Sequence, residues 1–461
     1  MDMTDMGLAE RFREATKQWL RYCDQTDQWF CWTGSRWRID DNQVRFQVAK
    51  AMIAALEDEI SAIEDDKKRK DAFGQWYARR SHAKLKSLLS TLASENGIAT
   101  RISDWDADKY ALQTPAGIVD LRTGELRPAT QDDLMHRCTA VAPDRDAKPQ
   151  RWLKFLEEIT KDRRDLQEYI RRAIGMTLVG VQREQVILLC SGIGSNGKSK
   201  LIETLVEMLG DYAGLAMPNL LSAKSHDAHP TELMALEGRR LVYCDEVKDN
   251  RLDESKVKRM TGGRQITARG IAQNPRTFDV EFTIWADCNE KPVISGTDEG
   301  IWRRIRLLPF EAHFTAETRD PFLGDKLRDE MPGILAWAID AAVDFLKLGL
   351  CESLKVSHAT AEYRAEQDIL KEFVDSCCFV HPDAIVASAD IYKAVTAYLE
   401  SIGFRPWSRR KCTSELTKRG TIQRDKLPGG TRALKGIKLK DNWRMVLGLY
   451  SGSDNDDQRY G

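Results

Sequence analysis

The stretch GIGSNGKSKL, Gly192–Leu201, follows the apolar run VILLC (Val186–Cys190) and opens a helix-like segment that stops at Gly210. The spacing Gly192-x4-Gly197-Lys198-Ser199 is that of a phosphate-binding loop. Glycines let backbone N–H groups turn inward around a polyphosphate, where a Cβ would block close approach. A predicted strand before the loop and a helix after it complete the setting, and the helix N-terminus adds partial positive charge. In this reading Gly192, Gly194, Ser195, Asn196 and Gly197 wrap the phosphates. Lys198 reaches the β- and γ-phosphates, and the Ser199 hydroxyl holds Mg²⁺.

Later apolar runs supply the rest of such a site. RRLVYCDEV predicts a strand over Leu241, Val242 and Tyr243 that ends in carboxylates. Asp245 is expected to orient the Mg²⁺ shell. Glu246 is expected to polarise an attacking water, which makes the reaction hydrolysis rather than transfer to an acceptor. VEFTIWADCN alternates Val280, Phe282, Ile284, Ala286 and Cys288 and ends at Asn289, whose amide can position the water. Asp287 has no role in this pattern. GIWRRIRLLPF puts Arg303 and Arg304 just before another apolar strand. An arginine aimed at a neighbouring subunit's γ-phosphate accelerates nucleotide hydrolysis; Arg304 is the expected residue and Arg303 the alternative. Taken singly, these are a surface carboxylate pair, a turn-forming Asn and surface charge. Their order behind a phosphate loop favours the site.

The chain has 461 residues, 42% apolar and 31% charged, enough for two to four domains with proper cores. Its net charge of −1 means that any nucleic-acid surface must be local. Ten cysteines without a CxxC pair speak against zinc and suit buried, reduced thiols. The charged N-terminus does not resemble a signal peptide, and no apolar run reaches membrane-spanning length. The expectation is a soluble protein of a bacterial host's cytoplasm, with no membrane partner.

Along the chain, residues 1–150 are predicted to form a mainly helical domain. Its tryptophans Trp19, Trp29, Trp32 and Trp37 read as core, and AGIVDLRTGELRP (Ala116–Pro128) reads as a hairpin. A helical connector over 151–182 leads to an α/β core at 183–315 and a helical lid at 316–365. Within the lid, MPGILAWAIDAAVDFLKLG pairs Pro332 at a helix start with Gly349 at its end. Residues 366–445 show three helices and a hairpin around Pro428-Gly429-Gly430, the order of a winged helix, before an acidic tail at 446–461. Phe404–Lys440 holds twelve basic and two acidic residues, which points to a polyanion partner. In SDWDADKY, Asp104, Asp106 and Asp108 read as a polar loop rather than a two-metal site.

With GIGSNGKSKL, CDE, KRMTGGRQITAR, CNEKP and DEGIWRRI in this order, the chain resembles superfamily 3 helicases of the phage and plasmid primase-helicase family, related to poxvirus primase-helicases. The resemblance implies an AAA+ P-loop ATPase core that takes ATP and Mg²⁺. It implies a homo-hexameric ring translocating 3′ to 5′ on single-stranded and forked DNA during replication of a phage, prophage, satellite or plasmid. A separate primase or replication initiator is the expected partner, since no primase domain of its own is predicted. In the family the segment between Glu246 and Asn289 enters the ring pore. Here Lys256–Arg276 holds six basic residues and no acidic one. Lys258, Arg264 and Arg269 are the expected DNA contacts there, and Arg409, Arg410 and Lys411 those of the winged helix. Relatives often carry an acidic residue where Arg264 stands and a lysine near Gln273. The alternative function is an origin-binding initiator whose ATPase drives assembly without processive unwinding.

Overall fold

The computed structural model describes residues 2–217, 220–223, 230–245, 251–262, 265–270, 274–294, 299–404 and 406–446. They form two compact units: Met1–Pro292 with Arg304–Ala359, and Val293–Arg303 with Thr360–Gly461.

The first unit starts with α1 (Asp5–Thr16), whose cap Thr4 accepts a hydrogen bond from the Gly7 amide. Strands β1 (Leu20–Cys23), β2 (Gln28–Trp32) and β3 (Trp37–Ile39) precede three helices, α2 (Val44–Ser61), α3 (Asp66–Arg79) and α4 (His82–Leu92). With β4 (Ala99–Thr100) the strands make a sheet in the order β3-β2-β1-β4. The region is helical as expected, but this sheet was not anticipated; its strands, two to five residues long, are too short for a period-2 pattern to register. Trp37 is fully buried, while Trp19, Trp29 and Trp32 pack against the neighbouring cores, so the tryptophans serve packing. A meander of β5 (Ala111–Thr114), β6 (Gly117–Asp120) and β7 (Glu125–Arg127) contains the expected hairpin, which turns at Gly124 with φ +79°. The helical stretch after Pro149 is two helices, α5 (Gln150–Thr160) and α6 (Arg164–Leu178). Lys161 and Asp162 both adopt positive φ, which ends the first helix.

The core follows as β8 (Ile187–Ser191), α7 (Lys198–Leu209), β9 (Ala213–Leu215), α8 (Pro230–Met234), β10 (Leu241–Cys244) and α9 (Glu254–Gly262). Next come β11 (Gln265–Ala268), β12 (Arg276–Asp279) and β13 (Thr283–Cys288). The short α10 (Glu299–Trp302), part of the second unit, precedes β14 (Ile305–Pro309). Five strands form one parallel sheet in the order β14-β8-β13-β10-β9. Numbered by appearance, that order is 5-1-4-3-2. Strands β10 and β13 are buried along their whole length, which explains their unbroken apolar runs. The fourth strand lies between the first and the third. This leaves a crevice at the carboxyl ends of the central strands, the place where open α/β sheets bind ligands. Helices α11 (Leu323–Asp329) and α12 (Met331–Leu348) cover the sheet with α6. A Cβ on Gly175 of α6 would stand 2.3 Å from the Ala341 backbone of α12, so the two helices meet at a glycine.

The unit boundary falls within α13 (Leu354–Glu366). The second unit then runs α14 (Ile369–Cys377), β15 (Cys378–Ala387), α15 (Ser388–Ser401), α16 (Arg409–Thr417), β16 (Gln423–Lys426), β17 (Arg432–Leu439) and α17 (Trp443–Val446). Its antiparallel sheet has the order β15-β17-β16. The three helices and the β16–β17 hairpin match expectation; β15 was missed. Phe373, Val395, Leu399, Leu416, Leu434 and Ile437 form its core.

Candidate functional site

The loop between β8 and α7 is tightly built. A Cβ on Gly192 would stand 2.2 Å from the Phe310 carbonyl oxygen, and one on Gly197, at φ +90°, 2.4 Å from Ile159. Asn196 is buried; its amide Nδ2 donates to the carbonyls of Ile193 and Phe310, and its Oδ1 accepts from the Lys198 amide. Ser195 adopts φ +61°. A Cβ on Gly194 would meet no protein atom within 4 Å, so the fold itself does not demand that glycine. It keeps the open side of the loop clear.

Lys198 is 3% exposed. Its ammonium donates to the carbonyl oxygens of Gly192 and Cys288 and to Asn289 Oδ1 at 3.2 Å, and lies 3.2 Å from Asp287 Oδ1. Lysine and asparagine, 91 positions apart, therefore meet. The loop opens onto a cleft of about 1100 Å³ lined by Gly194–Lys200, Asp245, Asp287 and Asn289, and walled by Phe155, Phe314 and Arg319. Asp245 is exposed at the end of β10 and accepts a hydrogen bond from the Tyr243 hydroxyl at 3.3 Å. Glu246 lies outside the described residues, as does Arg264.

Asp287 is the residue that sequence reasoning left without a place. It is 9% exposed and lines the cleft; its Oδ1 has the Lys198 ammonium at 3.2 Å but no well-aligned hydrogen bond, and the Ser199 hydroxyl approaches the carboxylate. Burial pushes its carboxyl pKa up while the Lys198 ammonium pulls the other way. The available signal was its place two residues before Asn289, at the tip of a strand. The donor set fits a hard divalent cation: one hydroxyl, Ser199, and two carboxylates, Asp245 and Asp287, open onto one cleft. Arg319 and Lys154, which also line it, carry no recognisable sequence signal.

The paired arginines part company. Arg304 is 8% exposed and its Nη2 donates to Gln185 Oε1; a Cβ on Gly262 would stand 2.6 Å from that nitrogen. Sequence reasoning assigns Arg304 the role of reaching a neighbouring subunit; within its own fold its Nη2 is engaged by Gln185. Arg303 is exposed.

The basic segment after β10 also sorts by burial. Strands β11 and β12 pair antiparallel from Gln265↔Asp279 to Ala268↔Arg276, as the expected hairpin, and Gln273 at its bend lies outside the described residues. Lys256 is buried with its ammonium on the Ser222 carbonyl, and Arg276 pairs with Glu237. Lys258 sits 3.9 Å from Glu254, whereas Arg259 and Arg269 are exposed. In the second unit Ser408 caps α16, and Arg409, Arg410 and Lys411 stand exposed in its first turn. Lys411 lies over the Trp407 ring and Arg409 over Tyr392. Arg419 instead pairs with Asp368.

Comparison with known proteins gives this geometry a family setting. Residues 9–161 match the profile described as D5 N terminal like, and residues 190–304 match a family of unknown function. A "Putative helicase" of Acanthamoeba polyphaga mimivirus is 30% identical over 294 residues, 58% of this chain and 30% of that protein. A "Putative helicase" of Frog virus 3 (isolate Goorha) is 28% identical over 315 residues, 63% of this chain and 31% of that protein. Over more than half of its length the chain is similar to these viral proteins named as putative helicases. It spans about a third of the length of the curated proteins it matches: a "Putative primase" of African swine fever virus is 24% identical over 370 residues, 73% of this chain and 38% of that protein. The A form apo structure of the NrS-1 C-terminal region shares the fold, with a TM-score of 0.51 over 94% of this chain and all of that one, at 10% identity. Among the described residues no helix is long and apolar enough to cross a membrane.

Proposed function

We propose that this chain is the ATP-driven motor of a replicative DNA helicase. One observation carries the reading: Lys198, Ser199, Asp245 and Asn289 converge on one cleft at the carboxyl ends of a parallel sheet ordered 5-1-4-3-2. That strand order supports an AAA+ core, and the helix–strand–helix–helix–strand–strand order of the second unit supports a winged helix.

In this reading the loop amides and Lys198 bind the triphosphate, and Asn289 holds the lysine and orients the water. Glu246 takes the water's proton. When bound, Mg²⁺ supplies charge neutralisation on the phosphates, held by Ser199 and Asp245. In this reading Arg303, the alternative to Arg304, completes a neighbour's site in a hexameric ring; its exposure supports the choice. Arg269 and Lys258 grip single-stranded DNA, while Arg409, Arg410 and Lys411 meet duplex phosphates; three cations in a helix's first turn oppose its dipole, so an external anion explains them better than helix stability does. Movement from 3′ to 5′, and a separate primase or initiator, follow from the family resemblance. An origin-binding assembly ATPase remains the second reading, favoured by the basic first turn of α16. Strand displacement on forked DNA separates them: the motor unwinds with ATP, whereas the assembler hydrolyses ATP and melts nothing beyond its site.

A further inference from the structure

Asp287 belongs to β13 rather than to the carboxylate strand β10, yet it opens onto the same cleft. Its neighbour in β8 is Cys190, which places it directly across from the strand that feeds the phosphate loop. A carboxylate buried this deeply usually has its oxygens filled by hydrogen bonds. Here Oδ1 has no well-aligned hydrogen bond: the Lys198 ammonium lies 3.2 Å away as an ion pair, and the Ser199 hydroxyl also approaches the carboxylate. Lys198 also has Asn289 and two carbonyls to bond, so it does not require Asp287. A negative charge at this depth opposes a bare triphosphate in the same cleft. It favours one only when a cation lies between the two.

We infer that Asp287 is a second carboxylate of the divalent-cation site, which makes nucleotide binding conditional on the metal. This rests on the cleft being the nucleotide site. Asp245 and Ser199 bind the cation from the β10 and loop sides, and Asp287 closes it from β13. Metal and nucleotide are then coupled: each raises the other's affinity by the same factor. A plain tether for Lys198 makes a different prediction, because loss of a tether weakens nucleotide equally with and without metal.

The test is a binding cycle on the full chain. Affinity for a fluorescent, non-hydrolysable ATP analogue is measured with and without Mg²⁺, and bound Mn²⁺ is read by electron paramagnetic resonance. Wild type should show strong coupling. In Asp287→Asn, metal-free binding should tighten by several-fold, and the coupling should fall by on the order of tenfold, within the usual span of such linkages. Asp245→Asn, which alters an exposed side chain, serves if Asp287→Asn does not fold; it should keep part of the coupling, because Asp287 remains. Coupling unchanged in Asp287→Asn, or abolished outright in a folded Asp245→Asn, overturns the inference. A wild-type chain that binds the analogue under neither condition overturns the nucleotide reading as well.

Discussion

Two neighbouring arginines show how much a single exposure decides. Arg304 is closed in by Gly262 and Gln185, and Arg303 points outward. Arg303→Ala should therefore bind ATP and hydrolyse it poorly alone, yet regain turnover when mixed with Glu246→Gln protein, because one interface then carries both intact groups. Arg304→Ala should instead lower the melting temperature, with no rescue on mixing. Recovery by Arg304→Ala and not by Arg303→Ala would reverse the assignment. Lys198→Ala removes the buried ammonium facing the phosphates and should cut ATP turnover by about 100-fold or more in a steady-state phosphate-release assay. The loop, Lys198 and Asn289 were legible because glycine spacing and strand-end polarity are local signals. Asp287 and the burial of Arg304 were not. On a strand buried on both faces, alternation cannot say which side chain looks into the cleft, and an Arg-Arg pair carries no mark of which one turns inward.

At the scale of elements, the loop holding Asp106 is a polar loop as read, but Asp106 itself is structural. Its carboxylate takes the His136 amide and lies against the His136 ring and Arg137. Burial alone would raise its pKa, but His136 and Arg137 prevail and bring it to about 2. The group therefore stabilises the fold above its unfolded pKa of about 3.9, and that contribution is lost as pH falls towards 2; a shift of this size corresponds to roughly 2–3 kcal/mol. Asp106→Asn should lose roughly 2–3 kcal/mol at neutral pH by denaturant titration, and its stability should be flatter than wild type's between pH 4 and 2. Helix α16 makes the opposite case. Replacing Arg409, Arg410 and Lys411 with alanine should leave the helix folded, since none of them belongs in a first turn electrostatically. If each contacts a phosphate, the salt slope of duplex binding should fall by about 2.7. An unchanged slope would leave them a solvated face. Strand β15 escaped sequence reading because it contains Pro382 and shifts register between Val380 and Ile385, so no clean alternation survives. The boundary between α5 and α6 escaped because Lys161 and Asp162 turn the chain without glycine or proline.

At the scale of the molecule, the parallel sheet was legible from its apolar runs, and the strand order could not be, because order depends on crossovers no local pattern records. The order observed sets β13 beside β8, and so brings Asn289 to Lys198. The helicase claim needs that site and a DNA grip to work together. Arg269→Ala should keep basal ATPase, lose its stimulation by single-stranded DNA, and flatten the salt dependence of binding by about one unit. Normal stimulation would move the grip elsewhere, to Arg259 or Arg264. The most direct measurement is strand displacement by the full chain on labelled forked DNA with Mg²⁺, comparing ATP with its non-hydrolysable analogue. The expected result is release of the labelled strand with ATP on forks offering a 3′ tail, none with the analogue, and none by Lys198→Ala under either condition. ATP hydrolysis without strand release on any fork would contradict the motor, and release that persists in Lys198→Ala would contradict the site.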